Sequence, residues 1–345
     1  MPALPRIDLQ AIFTQLEPVW PALAGARLFV TGGTGFFGQW LLESFLDAYD
    51  RGAHDARVTV LTRDASGFTA RAPQIALHRA VTLHAGDVTS FTFPDGAFSH
   101  VIHAATPGTA HQKNEHPADL WRVIVDGTQR VLDFARQAGI QRLLFTSSGA
   151  VYGRQPSDLP YLPEDYPGGP DPLNPASTYG EGKRAAELLC TLAGQEGNLA
   201  VVMARCFALI GPALPLDQGF AAGNFLRDAL HEGPICVNGD GTPYRSYLYA
   251  ADLAVWLWTL LLRGVNGRAY NVGSEDALSI AELARRIAAL CQPAAEIVLA
   301  RVPDASRPPE RYVPSTARAA AELGLRPTVG LDEGLQRTFA WYRHE

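Results

Sequence analysis

A tyrosine and a lysine four residues apart are the side chains of this sequence best suited to acid–base chemistry. Tyr179 and Lys183 lie in the stretch STYGEGKRAAE, and Lys183 is one of only two lysines in 345 residues, the other being Lys113. On a helix, residues i and i+4 share one face. A neighbouring ammonium group stabilises a phenolate and lowers the phenol pKa, which is ordinarily about 10. The pair therefore predicts a group that exchanges a proton near neutral pH.

A glycine-rich loop predicts a dinucleotide site upstream of this pair. The stretch TGGTGFFG at 31–38 contains Gly32, Gly35 and Gly38, with Phe36 and Phe37 in the same loop, and it lies between an apolar strand pattern and a helical one. Glycines allow the backbone to turn tightly and to approach a pyrophosphate, whose charge then lies at the helix N-terminus. We therefore expect these residues to bind a nicotinamide dinucleotide.

The end of the second predicted strand bears on which dinucleotide is bound. The strand ends in LTRD, which places Arg63 and Asp64 one after the other. An acid at this point holds the ribose hydroxyl of NAD, whereas an arginine can bind the extra phosphate of NADP. Arg63 favours NADP, and Asp64 leaves NAD as the alternative.

The elements that must position these residues alternate between strand and helix. Near-continuously apolar strands are predicted at 26–32, 57–63, 80–86, 100–106, 142–148 and 199–205, with helical patterns such as 38–49 and 128–139 between them. Apolar strands alternating with helices predict an α/β fold with a doubly wound parallel sheet covered on both faces. We expect a dinucleotide-binding domain at 1–205, with 1–25 as an N-terminal helical extension. A smaller C-terminal substrate-binding lobe at 206–345 is interleaved with it, and the Pro-rich segment 154–177 is predicted to form a site rim.

Composition excludes several classes of protein. The net charge is −6 with 19% charged residues and no basic stripe, so we expect no nucleic-acid partner. The longest apolar run, at 253–262, is about half a membrane span and predicts a buried helix, so no membrane partner is expected. The four cysteines are far apart with no CxxC pair, which predicts neither a metal site nor a disulfide framework and favours the cytoplasm.

Together these motifs resemble the extended short-chain dehydrogenase/reductase family, in its nucleotide-sugar epimerase, dehydratase and reductase branch, over about residues 26–343. The resemblance implies a Rossmann fold, a nucleotide-sugar substrate and a homodimer. It assigns catalysis to Tyr179, Lys183 and Ser148, the last in SSGAVYG. It places further cofactor contacts on Asp87 and Val88 of AGDV and on Ala104 and Ala105 of HAA, and substrate contacts on Asn224, Arg245, Arg307 and Arg311.

The sequence departs from the family pattern in three places, one of which covers two residues. Ala208 stands where the family usually has an asparagine that contacts sugar or diphosphate, and Ile124 replaces another asparagine. Dehydratases of the family carry Asp-Glu, and decarboxylases carry a Glu, just after the catalytic hydroxyl. Here these places hold Gly149 and Ala150. Removal of a C5 proton and a C6 hydroxyl therefore lacks its acid and base.

Four functions are compatible with these residues. The favoured one is reduction of a 4-keto (6-deoxy) nucleotide sugar by NADPH, and the first alternative is a nucleotide-sugar 4-epimerase with retained NAD. A 4,6-dehydratase or decarboxylase would need an acid from elsewhere, for which Glu164, Asp165 and Tyr166 of the Pro-rich segment are the candidates. A non-catalytic dinucleotide-binding protein is the least favoured, since it would not need Tyr179 and Lys183.

Overall fold

A parallel sheet brings the ends of its strands together at one edge. The computed structural model describes residues 2–106, 116–304 and 306–343. Its strands are β1 (Arg27–Thr31), β2 (Arg57–Thr62), β3 (Val81–Ala85), β4 (His100–His103), β5 (Arg142–Ser148), β6 (Ala200–Cys206), β7 (Leu209–Ile210), β8 (Ile235–Val237), β9 (Tyr244–Arg245), β10 (Leu248–Tyr249), β11 (Ala269–Val272), β12 (Leu278–Ser279), β13 (Ile297–Leu299) and β14 (Arg311–Tyr312). Seven of them form the sheet β11-β6-β5-β4-β1-β2-β3, in which every neighbouring pair is parallel. This confirms the predicted doubly wound sheet, in which ligands bind outside the carboxyl ends of the strands.

Helices cover both faces of this sheet. They are α1 (Arg6–Leu16), α2 (Phe36–Asp50), α3 (Ala65–Arg71), α4 (Pro73–Ala76), α5 (Pro117–Gln137), α6 (Thr178–Gln195), α7 (Ala221–Leu230), α8 (Ala250–Arg263), α9 (Ile280–Ala288), α10 (Ala317–Leu323) and α11 (Leu331–Arg343). The pattern at 128–139 predicted only the second half of α5. The helix begins earlier because Pro117 suits its first turn and the His116 side chain accepts a hydrogen bond from the Ala118 amide. Among the described residues, no helix is both long and apolar enough to cross a membrane.

Successive residues of β1 show how the two faces are packed. Leu28 and Val30 are buried in one core together with Trp40, whereas Phe29 is buried in another together with Phe134. Side chains alternate between the faces of a strand, so a strand covered on both sides is apolar along its whole length. This explains why the predicted strands read as continuous apolar runs.

The chain beyond residue 205 contributes both to the main sheet and to a second lobe. Strand β11 completes the sheet beside β6, while β12, β9 and β14 form a separate three-stranded sheet. In this small sheet β14 runs parallel to β9, which sets Tyr312 opposite Arg245. Two residues distant in sequence are thereby placed side by side near the ends of the main-sheet strands.

The N-terminal helix joins this second lobe through a buried carboxylate. Asp8 on α1 accepts a hydrogen bond from the Tyr249 hydroxyl at 2.6 Å and forms an ion pair with Arg337 on α11. Burial raises the pKa of Asp8 even though Tyr249 and Arg337 oppose that shift. The residues before β1 are therefore packed into the fold.

Alanine at Gly32 is expected to destabilise the protein far more than alanine at Gly25. Both glycines have a positive φ, +73° and +67° respectively, which costs a residue with a Cβ about 1–2 kcal/mol. At Gly32 an added Cβ would also lie 2.4 Å from the Ala104 backbone, whereas at Gly25 nothing lies within 4 Å. Urea denaturation should give a loss of about 4 kcal/mol or more for Gly32→Ala and only the conformational cost for Gly25→Ala. Equal losses would contradict the packing argument.

Candidate functional site

The glycine loop leaves room for an anion at the N-terminus of α2. Gly35 precedes the helix and provides no side-chain cap, so the first amides of α2, beginning at Phe36 and Phe37, have no side-chain acceptor there. Gly38 packs so closely that an added Cβ would lie 2.3 Å from the Gly33 backbone. An uncapped helix start beside closely packed glycines fits a pyrophosphate. The predicted loop residues therefore form a suitable cradle for a dinucleotide.

A buried histidine anchors the loop after β4 against this cradle. The Ala105 amide donates to Thr31 Oγ1 at 3.2 Å, and Thr31 Oγ1 lies 2.7 Å from His103 Nδ1. On the other side His103 Nε2 lies 3.0 Å from Thr128 Oγ1, whose own proton goes to the Ile124 carbonyl at 2.6 Å. Nε2 must therefore be the protonated nitrogen, and burial lowers the histidine pKa to about 3, which keeps the ring neutral. The sequence analysis missed His103.

Arg63 directly follows the last residue of β2, and no acidic residue lies on the strand itself. Thr62 is the last residue of β2, and its hydroxyl accepts the Asp64 amide at 3.2 Å. Arg63 is exposed, whereas the Asp64 carboxylate caps α3 by accepting the Gly67 amide at 2.8 Å. This hydrogen bond lowers the pKa of Asp64. The Arg63 side chain, which is predicted to bind phosphate, is therefore exposed, whereas the Asp64 carboxylate caps α3.

A second carboxylate, that of Asp87, follows β3 and lies close to Arg63. Burial opposes ionisation of Asp87, but hydrogen bonds from Thr89 and the charge of Arg63 outweigh it and hold its pKa below the usual range. Val88 is buried and lies against α5, where an added Cβ at Gly127 would be 3.0 Å from its side chain. Asp87 and Val88 thus lie at the same edge as Arg63, as an adenine-binding wall requires.

Lys183 is buried where α6 crosses the ends of β4 and β5. Its side chain is 2% exposed, and Nζ donates to Thr106 Oγ1 at 2.8 Å and to the Thr146 carbonyl at 2.7 Å. Nζ also lies 4.7 Å from the centre of the Phe145 ring. Burial lowers the lysine pKa to about 8, so the group still carries its charge at neutral pH. The sequence did not identify Thr106 as its partner.

Tyr179 and Ser148 meet beside this ammonium group. Lys183 Nζ lies 6.0 Å from the centre of the Tyr179 ring, which confirms that the pair shares one face of the helix. Burial raises the pKa of Tyr179, and the nearby Ser148 hydroxyl acts against that rise. The Ser148 hydroxyl also accepts the Ala150 amide at 3.1 Å. The structure thus brings the three predicted catalytic side chains together.

A second phenol, which the sequence analysis missed, reaches the same serine. Burial raises the pKa of Tyr312 on β14, the nearby Ser148 hydroxyl acts against that rise, and the Tyr312 ring packs on Phe207 with centroids 4.6 Å apart. A Cβ added at Gly149 would lie 2.6 Å from the Tyr312 hydroxyl oxygen and 2.6 Å from the Phe207 ring. The place where a side chain at 149 would begin is therefore filled by these two aromatic residues.

The candidate acids of the Pro-rich segment have other partners. Glu164 accepts the Asn271 amide at 2.9 Å and lies 3.9 Å from Arg318. Asp165 is exposed, and the Tyr166 ring folds back onto its own loop, 2.2 Å from where a Cβ at Gly168 would lie. These side chains serve the conformation of the loop in the structure.

Glycines of α6 pack against the protein rather than leaving an open surface. A Cβ at Gly180 would lie 2.8 Å from the Ala150 carbonyl, and one at Gly182 would lie 3.3 Å from Ile124 on α5. These two positions are therefore filled by protein and are not open to a ligand. They allow α6 to approach α5 and the loop that follows Ser148.

Two of the four predicted substrate residues lie in the small sheet next to Tyr312. The guanidinium of Arg245 lies 5.8 Å from the centre of the Tyr312 ring and donates to the Tyr244 carbonyl at 2.8 Å. Arg311 stacks over the Tyr244 ring at 4.8 Å, and its buried Nε has no hydrogen-bond partner among the described residues. A buried donor without a partner is costly, which fits a site for an anionic ligand.

The other two predicted substrate residues are placed differently. Asn224 lies half-buried on α7, where its backbone amide donates to the Phe220 carbonyl. The Arg307 side chain is 84% exposed and pairs with Asp304 at 3.3 Å. The structure does not bring Arg307 to Arg245 and Tyr312, so its substrate role stays a prediction.

A buried network of charged and polar side chains holds α6 against the main sheet. Glu187 on α6 accepts a hydrogen bond from Ser147 at 2.5 Å and pairs with Arg205 of β6 at 2.7 Å. Arg205 also donates to the Tyr152 hydroxyl at 2.9 Å, which in turn donates to Asn271 of β11 at 2.7 Å. The network therefore joins the helix that carries Lys183 to three strands of the main sheet.

Within residues 2–106, 116–304 and 306–343, no group of three or more His, Cys, Asp or Glu side chains could hold a metal ion. The four cysteines are free thiols, at Cys190, Cys206, Cys236 and Cys291.

Proton exchange beside a dinucleotide cradle is the chemistry of a dehydrogenase or a reductase, in which a hydride and a proton leave or reach the same alcohol group. The fold and the site therefore define an NAD-dependent enzyme of the extended short-chain dehydrogenase/reductase type.

The chain belongs to the NAD-dependent epimerase/dehydratase family, whose model matches residues 28–273. A UDP-glucuronic acid decarboxylase 1 of Xenopus tropicalis is 30% identical over 98% of this chain and 78% of its own length. A UDP-glucuronic acid decarboxylase 2 of Arabidopsis thaliana is 31% identical over 90% of this chain and 67% of its own length. This membership confirms the resemblance inferred from the motifs.

Solved structures show the same fold. A UDP-glucose 4-epimerase with UDP-glucose from Thermotoga maritima aligns with a TM-score of 0.76 and 22% identity, over 92% of this chain and 99% of that one. A dTDP-glucose 4,6-dehydratase with NAD bound from Streptomyces venezuelae aligns with a TM-score of 0.76 and 24% identity, over 92% of this chain and 97% of that one. Enzymes of different reactions thus share this architecture.

The buried charge of Lys183 is expected to make stability depend on pH between about 8 and 10.5. Folding lowers the lysine pKa from 10.5 to about 8, so in this window the unfolded chain holds the extra proton. Relative to Lys183→Met, the wild type should therefore gain roughly 3 kcal/mol as the pH rises through the window, and the penalty should be complete below pH 8. Urea denaturation between pH 7 and 10.5 measures this, with exposed Arg122→Met as control. A constant difference across the range would contradict the burial of a charged amine.

Proposed function

We propose that this protein is an NADP-dependent reductase that acts at C4 of a 4-keto nucleotide sugar. The observation that carries the proposal is the composition of the site around Ser148. It holds two phenols, a hydroxyl and an ammonium group, and the space beyond Gly149 is filled by Tyr312 and Phe207. Such a site can move one proton at one oxygen. Among the described residues, it has no acid–base pair for a second position of the sugar.

Each catalytic side chain has a distinct part in this reaction. Tyr179 gives its proton to the oxygen at C4, and Ser148 hydrogen-bonds to the same oxygen and to the phenol. Lys183 holds its charge near the phenol and lowers the cost of the phenolate that remains. A bound nicotinamide supplies the hydride. Because Lys183 is already held by Thr106 and Thr146, the ammonium group is in place before substrate binds.

The curated relatives favour a different reaction, decarboxylation of UDP-glucuronate. We rank that reaction lower because decarboxylases carry a glutamate just after the catalytic hydroxyl, and this chain has Gly149 and Ala150 there. A replacement from the Pro-rich segment would have to come from Glu164, which is bound to Asn271 and lies near Arg318. Release of CO₂ is therefore the outcome that would overturn this ranking.

A nucleotide-sugar 4-epimerase with retained NAD is the second candidate. Tyr179, Lys183 and Ser148 would serve oxidation and reduction of C4 equally well. The observation that favours it is Asp64, whose pKa is lowered by the helix cap, so that a carboxylate stands at the ribose end of the cradle. The choice between the two reactions thus depends on which dinucleotide the β2 edge prefers.

The substrate is proposed to bind between the two predicted domains, 1–205 and 206–345. Arg245 lies beside Tyr312 and suits the diphosphate, and Arg311, which stacks on Tyr244, is assigned to another part of the nucleotide. We assign Asn224 and Arg307 to the same nucleotide as weaker contacts. Ligand-induced movement of the exposed Arg307 loop would be needed for its contact.

We further propose that the protein is a homodimer in the cytoplasm. The packed pair α5 and α6 exposes Trp121, Leu188 and Leu192, with fractional exposures of 39%, 60% and 51%. Large apolar side chains on adjacent helices fit association with a second copy of the same helices. Free thiols, including the exposed Cys236, fit a reducing compartment.

Substrate assays with a tyrosine variant test the proposed reaction. With NADPH and a 4-keto-6-deoxy nucleotide sugar, the protein should consume NADPH, and Tyr179→Phe should lose about 10²-fold or more because the transferred proton is absent. Tyr49→Phe, which removes a remote hydroxyl, should keep full activity. Interconversion of UDP-glucose and UDP-galactose without added cofactor would instead support the epimerase. Release of CO₂ from UDP-glucuronate would show that the acid comes from another residue.

Removal of the Arg63 guanidinium should weaken NADP(H) much more than NAD(H). A charged hydrogen bond to the 2′-phosphate is worth about 1.5–3 kcal/mol, which corresponds to roughly 10- to 100-fold in affinity. Fluorescence titration of Arg63→Ala with both reduced cofactors measures the difference, and exposed Arg79→Ala is the matched control. Equal losses of affinity for the two cofactors would instead favour NAD, with Asp64 holding its ribose hydroxyl.

A further inference from the structure

The Thr106 hydroxyl joins the buried ammonium group to the β4 loop, residues 104–106. Lys183 Nζ donates to Thr106 Oγ1 at 2.8 Å, and Thr106 Oγ1 donates to the Ala105 carbonyl at 2.9 Å. A hydroxyl has one proton, and an ammonium group can only donate. The Thr106 proton therefore goes to Ala105, and a lone pair of the same oxygen faces Lys183. The hydroxyl is thus held in the orientation that suits a cation.

The β4 loop is held from its other side by β1 and β5. The Ala105 amide donates to Thr31 Oγ1 at 3.2 Å, and this oxygen lies 2.7 Å from His103 Nδ1. The Thr146 hydroxyl donates to the His103 carbonyl at 3.2 Å. These hydrogen bonds fix the backbone that directly precedes Thr106. The orientation of the Thr106 hydroxyl therefore depends on a part of the chain that is itself fixed.

The β4 loop also packs against the glycine cradle. A Cβ added at Gly32 would lie 2.4 Å from the Ala104 backbone. Ala104 and Ala105 are predicted cofactor contacts, and Thr106 is the next residue. One short segment therefore contains both the predicted cofactor contacts and an acceptor for the buried charge.

The ammonium group of Lys183 depends strongly on this acceptor. Among the described residues, its hydrogen-bond acceptors are Thr106 Oγ1 and the Thr146 carbonyl. The side chain is 2% exposed, so an acceptor that is lost is not easily replaced by bulk water. The Thr146 carbonyl belongs to the backbone of β5, whereas the Thr106 oxygen can be removed by substitution.

The other titratable groups near Lys183 do not duplicate this hydrogen bond. They are Tyr179, Glu187 and Cys190 on α6, Cys206 on β6 and His103 on β4. Burial raises the pKa of both thiols and of the phenol and lowers that of the histidine, so these four groups are neutral at neutral pH. The remaining group, Glu187, is paired with Arg205 at 2.7 Å.

We propose that Thr106 is a positioning residue that fixes the Lys183 ammonium group to the β4 loop and stabilises its charge beside Tyr179. Its hydroxyl acts through Lys183, whose charge stabilises the phenolate that remains after proton transfer. The effect on turnover rests on the proposed C4 reaction, whereas the effect on the charge of Lys183 is a property of the protein alone.

The rarity of lysine allows this charge to be measured directly. Lys113 is the only other lysine, so Lys113→Arg protein with ¹³Cε-labelled lysine gives a single lysine NMR signal, that of Lys183. In this background Lys183 should titrate with a pKa of about 8. Thr106→Val removes the hydroxyl at nearly equal size and should lower this pKa by about one unit, because the charged form loses a hydrogen bond.

Two further variants show whether the hydroxyl causes the shift. Thr106→Ser keeps the hydroxyl and should keep the pKa of Lys183. Thr338→Val is the matched control, because Thr338 is buried on α11 and its hydroxyl donates to the Gly334 carbonyl at 2.6 Å. It should leave the pKa of Lys183 unchanged.

Two results of the NMR titration would overturn the proposal. One is an unchanged pKa of Lys183 in Thr106→Val. The other is an equal fall of this pKa in Thr106→Ser, because the shift would then come from a disturbed loop and not from the lost hydroxyl. Failure of the reductase assignment would leave the titration unchanged, so the two failures are distinguishable.

The pH dependence of kcat tests the consequence for turnover on whichever nucleotide sugar the wild type accepts. At pH 6 both proteins hold the charge, so Thr106→Val should be nearly as fast as the wild type. At pH 8 the wild type keeps about half of the charge and the variant about a tenth, so kcat of the variant should be about fivefold lower. KM for the nucleotide sugar should be nearly unchanged, and Thr106→Ser and Thr338→Val should follow the wild type.

Three results would overturn the role of Thr106 in turnover. A loss of kcat in Thr106→Val that is the same at pH 6 and pH 8 would show a structural disturbance. A rise in KM with kcat unchanged at both pH values would make Thr106 a substrate contact. A kcat equal to that of the wild type at pH 8, despite a lowered pKa of Lys183, would show that turnover does not need this charge.

Discussion

The burial of one ammonium group, that of Lys183, is the constraint on which the site depends. A charged amine inside a protein is tolerated only with good polar partners, and here these are Thr106 Oγ1 and the Thr146 carbonyl. Thr106 follows β4, Thr146 belongs to β5, and Lys183 comes from α6. The charge is therefore satisfied only where two strand ends and one helix meet. That requirement places the Tyr179 phenol, one turn earlier on α6, beside Ser148 at the end of β5.

The ion pair between Glu187 and Arg205 extends this constraint through the fold. It lies one turn further along α6 and is bonded to Ser147 and Tyr152 as well. A buried ion pair adds little net stability, but removing one partner is costly because the other charge remains unpaired. Such a pair favours one arrangement of helix and strands over others that pack equally well. The helix that carries Tyr179 and Lys183 is thereby held in one register on the sheet.

Features that depend on neighbours in sequence could be predicted, and those that depend on strand pairing could not. The glycine loop and the Tyr179–Lys183 pair are local patterns, and the structure brings the predicted catalytic residues together. Tyr312 was missed because its place follows from the pairing of β14 with β9. His103 and Thr106 were missed because a histidine or threonine near the end of an apolar run has no distinctive pattern. The sheet was predicted with six strands because β11, from beyond residue 205, is short and isolated in sequence.

The lack of an acidic side chain at position 149 and the presence of the Tyr312 phenol depend on each other, because both concern the same space beside Ser148. An acidic side chain at this position would overlap the Tyr312 hydroxyl and the Phe207 ring, both 2.6 Å from its Cβ. Restoring the acid alone would therefore create a clash, and removing the aromatic side chains alone would leave a cavity beside Ser148. Changes at contacting positions of this kind are not additive. The similarity to decarboxylases over nearly the whole chain is thus compatible with the proposed difference in chemistry, which would rest on three contacting residues that must change together.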